Sequence, residues 1–224
     1  MEFPNVPEFS VKICGITTVD DALMVADAGA DAIGLNFYPR SPRYVAMSDA
    51  VAIVRALPPT VVRVGLFVNA ASEDVCCSFD TLGLDLIQLH GDEPPSFLSQ
   101  LGPRPVMKAF RIGPSGLAPV REFLDECGRL GCRPRFVLLD ALVTGAYGGT
   151  GKLADWSAAQ EYRHDDSLPP MVLAGGLTPT NVAEAIRSTG TRAVDTASGV
   201  ESSPGRKDSE AVKAFVRSAK AAWA

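Results

Sequence analysis

The sequence predicts a single-domain (β/α)8 TIM barrel of the α/β class, and three observations point to it. Short aliphatic or β-branched runs recur eight times, each too short for a helix and too apolar for an exposed strand. Runs of that kind are the mark of parallel strands buried on both faces. A helix-like segment follows every run, which implies βα units joined by right-handed crossovers. Eight such units in 224 residues suit a closed barrel better than an open doubly wound sheet, and no linker or low-complexity tract divides them.

In chain order the expected strands are VKIC (11–14), AIGLNF (32–37), VVRVGLFV (61–68), LDLIQLH (84–90), PVMKAF (105–110), RFVLLD (135–140), MVLAG (171–175) and AVDTAS (193–198). The helices between and after them are read at 20–29, 47–57, 71–83, 94–102, 117–131, 156–163, 181–190 and 207–223. Residues 1–9, acidic and interrupted by proline, read as an N-terminal extension ahead of a barrel spanning 10–224; they lack the basic-then-apolar order of a signal peptide. One internal echo supports repeated βα units: GITTVDDALMVADAGADAI from Gly15 aligns with GLTPTNVAEAIRSTGTRAV from Gly176. The shared plan has a glycine leaving the strand, a threonine (Thr17, Thr178) capping the helix and a second glycine ending it. Pro179 is expected at the first helical position, where its missing N–H costs nothing.

A hydrophobic fraction of 46% with 21% charged residues provides ample core material. The net charge of −5 argues against a nucleic-acid or anionic-membrane surface. No apolar run reaches the ~18 residues needed to span a bilayer. Five cysteines, odd in number and without CxxC pairing, are expected to stay reduced in a cytoplasmic protein. Cys76, Cys77, Cys127 and Cys132 read as buried or half-buried helix residues. Only His90 and His164 offer imidazoles, and no spacing suggests a metal site. GAYGGTGK (145–152) approaches a nucleotide-binding loop, but Leu153 stands where Ser or Thr is required and the segment follows a sixth strand. It reads instead as a glycine-rich loop over a ligand.

Barrel sites lie at the C-terminal ends of the strands. Cys14 ends the first, His90 the fourth and Asp140 the sixth, with Asp195 near the end of the eighth. Gly175-Gly176 and Ser198-Gly199 follow the seventh and eighth strands, where backbone N–H groups of glycine turns suit a phosphate. Cys14 and Asp140 form a candidate base and acid. A free thiol titrates near ~8.5, so Cys14 needs help to ionise, and Lys12, two residues earlier on the same side of the strand, would supply positive charge. An aspartic acid at a barrel mouth becomes a proton donor when burial disfavours its charge.

KICGIT (12–17), SPR (41–43), VGLFVN (64–69), QLHGDE (88–93), LLDALVTGAYGGTGKLADW (138–156), LAGGLTPTNV (173–182) and VDTASGVESSPGRKD (194–208) together resemble the N-(5'-phosphoribosyl)anthranilate isomerase family of tryptophan biosynthesis. Small departures are Thr196-Ala197 and Leu153-Ala154. The resemblance implies an Amadori rearrangement of a phosphorylated aminoaldose, with no cofactor and no metal. It implies Asp140 as general acid on the ribose ring oxygen and Cys14 as general base at the sugar C2. Arg43 is similar to the family's ligand for the anthranilate carboxylate. Asp195 is similar to a residue ordering the sugar hydroxyls or supporting the reacting pair. Gly149, Gly175, Gly176, Ser198 and Gly199 would line the substrate site, and His90 reads as a structural strand end. The expected partner is the phosphorylated sugar–anthranilate substrate, with no nucleic acid or membrane, in a monomer or homodimer. Two alternatives stand beside this reading. One is the related aminoaldose isomerase of histidine biosynthesis, which is similar in fold but carries an aspartate where this chain has Cys14. The other is a non-catalytic phosphosugar-binding barrel.

Overall fold

The computed structural model describes residues 8–140 and 156–224. Eight parallel strands close into a barrel in sequence order: β1 (Val11–Cys14), β2 (Ala32–Asn36), β3 (Val62–Phe67), β4 (Leu86–Leu89), β5 (Val106–Arg111), β6 (Phe136–Asp140), β7 (Met171–Ala174) and β8 (Ala193–Thr196). β1 pairs with both β2 and β8, which closes the ring. The helices are α1 (Val19–Asp27), α2 (Met47–Ala56), α3 (Ser72–Leu82), α4 (Pro95–Gln100), α5 (Ala118–Leu130), α6 (Ser157–Tyr162), α7 (Val182–Thr189) and α8 (Ser209–Trp223). A hairpin of β9 (Glu201–Ser203) and β10 (Arg206–Lys207) stands between β8 and α8. Each expected strand and helix is present, with ends moved by a few residues. Among the described residues no helix is long and apolar enough to cross a membrane.

The alternation of strand side chains divides the core in two. Val11, Ile13, Ile33, Leu35, Val137 and Leu139 face outward into the layer shared with the helices. Ala32, Val62, Val64, Leu86, Met107, Leu138 and Val172 fill the barrel interior. A fully buried leucine such as Leu138 stabilises the fold by about 1.5–3 kcal/mol over its exposed state. Phe9, the last residue of the expected extension, is buried in this interior cluster, its ring 5.4 Å from that of Phe136. The same alternation carries Lys12, Cys14, Gln88, Asp140 and Asp195 inward above the apolar layers, so one register sets both the packing and the site.

Three local expectations are corrected. Thr18, not Thr17, caps α1 by accepting from the Asp21 N–H, while the Thr17 hydroxyl donates to the Gly205 carbonyl at 2.7 Å. The two threonines are adjacent, and the one whose backbone stays extended beside the first helical turn takes the cap. Helix α7 opens at Val182 rather than at Pro179, after a turn in which Asn181 Oδ1 accepts from the Thr178 N–H. The local Asn181 bond competes with the helix start and delays it. Cys77 is exposed, and Cys132 lies just beyond α5, whereas Cys76 and Cys127 are half-buried and buried as expected.

Candidate active site

Lys12 and Asp195 are direct register partners on β1 and β8 and both point inward. The Lys12 side chain is fully buried, and its Nζ donates to Asp195 Oδ1 at 2.9 Å. A buried ammonium is costly to desolvate and persists only beside a compensating carboxylate. Burial alone would lower the Lys12 pKa, but Asp195 and Cys14 outweigh it and hold the ammonium above its usual range.

Cys14 pairs in register with Gly34 of β2. A Cβ placed on Gly34 would come within 2.6 Å of Cys14 Sγ and 3.1 Å of Lys12 Nζ. Thiol and ammonium therefore share the space that only a missing side chain leaves open. Burial pushes the Cys14 thiol above its ordinary value; Lys12 and Lys207 pull it down, and Asp195 adds to the rise.

Asp140 ends β6, three steps round the ring from β1, and is buried. Its Oδ2 lies 3.6 Å from His90 Nε2, while Oδ1 has no hydrogen-bond partner among the described residues. Gln88 Nε2 stands 3.0 Å from His90 Nδ1; with the amide donating, the ring proton sits on Nε2, the nitrogen facing Asp140. A buried carboxylate oxygen without a partner is rare, so this one is left for a group beyond the described residues.

Arg43, from the loop after β2, crosses directly over Gly15, where a Cβ would meet its Cδ at 2.5 Å. Gly15 also has φ +77°, so this turn is closed to other residues on two counts. The Arg43 Nε and Nη2 donate to Glu201 Oε1 and Oε2 at 2.8 and 2.7 Å. Lys207 Nζ donates to the same carboxylate at 2.7 Å. Burial alone would raise the Glu201 carboxyl, but the bonds from Arg43 and Lys207 hold it below the usual range.

The loops after β7 and β8 are locked to each other. Thr196 Oγ1 donates to the Leu177 carbonyl at 2.7 Å, so this departure from the family pattern has a structural use. A Cβ on Gly199 would fall 1.9 Å from that same carbonyl, which restricts the position to glycine. Gly175 and Gly176 adopt left-handed φ of +93° and +63°, and Ser198 begins a single 3-10 turn. Among the described residues no cluster of three or more His, Cys, Asp or Glu would hold a metal. Gly149 and the rest of GAYGGTGK lie outside the described residues.

The structure thus gathers Cys14, Arg43, Asp140, Asp195, Gly175, Gly176, Ser198 and Gly199 at one end of the barrel. Sequence reading named Lys12 but not its pairing with Asp195, and it missed Glu201 and Lys207. The signal for these was the cluster of charges in GVESSPGRKD, which becomes meaningful only once that hairpin folds over the loop after β2.

The family model described as N-(5'phosphoribosyl)anthranilate (PRA) isomerase matches residues 11–218. The chain belongs to this family. It is an isomerase, and its reaction is the family's step in tryptophan biosynthesis. Among relatives named N-(5'-phosphoribosyl)anthranilate isomerase, that of Azotobacter vinelandii is 50% identical over 207 residues, covering 92% of this chain and 95% of its own. The one from Geobacter sp. (strain M21) is 48% identical over 211 residues, covering 94% and 97%. The crystal structure of phosphoribosyl anthranilate isomerase from Thermotoga maritima superposes with a TM-score of 0.82 at 41% identity, covering 96% of this chain and all of that one. A second solved isomerase, in complex with reduced 1-(o-carboxyphenylamino)-1-deoxyribulose 5-phosphate, gives a TM-score of 0.80 at 38% identity with the same coverage.

Proposed function

We propose that this family member converts N-(5'-phosphoribosyl)anthranilate to 1-(2-carboxyphenylamino)-1-deoxyribulose 5-phosphate with Asp140 as general acid and Cys14 as general base. The observation that carries the assignment is the placement of the two groups. Cys14 shares the space over Gly34 with the Lys12 ammonium, which with Lys207 counters part of the rise that burial gives the thiol, whereas Asp140 keeps one carboxylate oxygen without a partner among the described residues. A base gains from a neighbouring ammonium, and an acid needs an oxygen that the protein has not already engaged.

Asp140 in its acid form protonates the ribose ring oxygen as the nitrogen lone pair moves toward C1, breaking the ring C1–O bond and leaving a Schiff base. The Cys14 thiolate then removes the C2 proton, and the electron pair flows through C1 to nitrogen to form an enolamine. Proton return to C1 and loss of the C2 hydroxyl proton give the ketone. Lys12 stabilises the thiolate, and Asp195 holds Lys12 in place. Arg43 receives the anthranilate carboxylate, and the backbone N–H groups of Gly175, Gly176, Ser198 and Gly199 receive the phosphate. Gly149 belongs by family resemblance to the loop that covers the substrate. The second solved isomerase above, crystallised with a reduced product, supports a phosphosugar ligand for this chain. The acid–base route draws on no cofactor, and we assign it to the cytoplasm, in a monomer or homodimer.

The thiolate is the minority form of Cys14 at neutral pH because burial raises its pKa. Turnover limited by this base therefore rises with pH from neutrality upward. The direct test adds purified protein to phosphoribosylanthranilate and follows substrate fluorescence. Decay of the signal is expected, and a steady signal with folded protein would refute the activity.

A further inference from the structure

The guanidinium of Arg43 has two edges that can each hold a planar anion. Glu201 occupies the Nε/Nη2 edge bidentately. Nη1 has no hydrogen-bond partner among the described residues, and the Arg43 side chain keeps 23% of its surface exposed, against 4% for Glu201. One edge is therefore held by the protein while the other is left unengaged among the described residues.

The frame behind Glu201 is rigid. The Lys207 side chain is fully buried and bonds both Glu201 Oε1 and the Ala197 carbonyl. The hairpin that carries Glu201 is tied to the loop after β1 by Thr17 Oγ1 to the Gly205 carbonyl, and to α1 by the Lys207 N–H to Asp21 Oδ2. A Cβ on Gly205 would lie 2.9 Å from the Pro42 carbonyl, so the hairpin also packs closely on the loop bearing Arg43. Charge favours the same role. Glu201 alone would neutralise Arg43 and weaken its pull on an anion, but Lys207 leaves the three-residue group with one uncompensated positive charge.

We propose that Glu201 is a specificity-determining positioning residue, fixing the plane of Arg43 so that its open edge meets the carboxylate of the aromatic ring. This rests on the reading of Arg43 as the carboxylate ligand. A bidentate pair fixes direction as well as distance, and a guanidinium without it samples rotamers that miss a planar ligand.

The test compares two competitive inhibitors, the reduced carboxyphenylamino-deoxyribulose phosphate and its analogue lacking the ring carboxyl, on the wild-type protein and on Glu201→Gln, Glu201→Asp and Arg43→Ala. Glu201→Gln is expected to weaken the carboxylated inhibitor about tenfold or more, the scale of a charge-assisted hydrogen bond, and to leave the carboxyl-free one within about twofold. Glu201→Asp, which draws the carboxylate back by one methylene while keeping its charge, should show the same selective loss if Glu201→Gln does not fold. Adding Arg43→Ala to Glu201→Gln should cost little beyond Arg43→Ala alone, since both act on one contact. Equal weakening of both inhibitors by the Glu201 variants, or no weakening of either, overturns the proposal. If Arg43→Ala itself fails to discriminate between the inhibitors, the carboxylate reading of Arg43 is what fails, whatever the Glu201 variants do.

Discussion

The two sides of the barrel mouth hold their candidate reacting groups differently. On the β8–β1–β2 side, Lys12, Asp195, Arg43, Glu201 and Lys207 form paired charges with short bonds. On the β4–β6 side Lys108 and Glu93 form a buried pair at 2.8 Å, but Asp140 stands outside it, with His90 3.6 Å away and one carboxylate oxygen without a partner among the described residues. The first side is preorganised, since its groups hold one another and need no ligand to stand in position. The second leaves hydrogen-bonding capacity for whatever enters. On the proposed roles, a base that must ionise gains from fixed cations, whereas an acid gains from an oxygen that the described residues do not already hold.

Breaking the preorganised side should cost most. Lys12→Met leaves Asp195 as an unpaired buried charge, with an expected loss of about 3–5 kcal/mol in chemical denaturation. It also removes a cation that lowers the Cys14 pKa, so the alkaline rise of turnover should move to higher pH. Replacing both partners, Lys12→Met with Asp195→Leu, should recover much of the stability without the activity, because an apolar pair of similar volume carries no desolvation cost.

Gly34→Ala places a Cβ against the thiol and the ammonium at once. A loss of about 1–3 kcal/mol from overpacking is expected, with a fall in kcat, measured by denaturation and the fluorescence assay. The open side should be more forgiving. His90→Asn should lower kcat by less than about tenfold, because no hydrogen bond joins His90 to Asp140 at 3.6 Å. A loss beyond a hundredfold would make His90 part of the chemistry. Smallest of all, removing the exposed Arg129–Glu126 pair on α5 should change stability by under about 0.5 kcal/mol.

The pH dependence of stability carries the same contrast. Glu201 has a depressed folded-state pKa, so its contribution is full above the ordinary carboxylate range and fades as pH falls through the folded value. Cys14 has a raised one, so its contribution is full below the ordinary thiol value and is lost as pH climbs through the folded value.

The strands were legible because each is a short apolar run bounded by turn residues, and Cys14 and Asp140 were legible because they end such runs. What escaped the sequence was pairing across distance. Lys12 and Asp195 are separated by 183 positions, and Arg43 and Glu201 by 158. Only the closure of β8 on β1 and the return of the β9–β10 hairpin bring them together. The choice of Thr18 over Thr17 as the α1 cap was equally hidden, because Thr17 is drawn to Gly205 from the far end of the chain.

The central claim is the division of labour between Cys14 and Asp140. It is tested most directly by single-turnover fluorescence decay of phosphoribosylanthranilate on the wild-type protein, Cys14→Ala and Asp140→Asn, each shown to be folded and to bind a phosphate mimic. The account predicts that each substitution slows the decay by about 10²–10⁴-fold with phosphate-mimic binding retained. Near-normal decay with Cys14→Ala would contradict it.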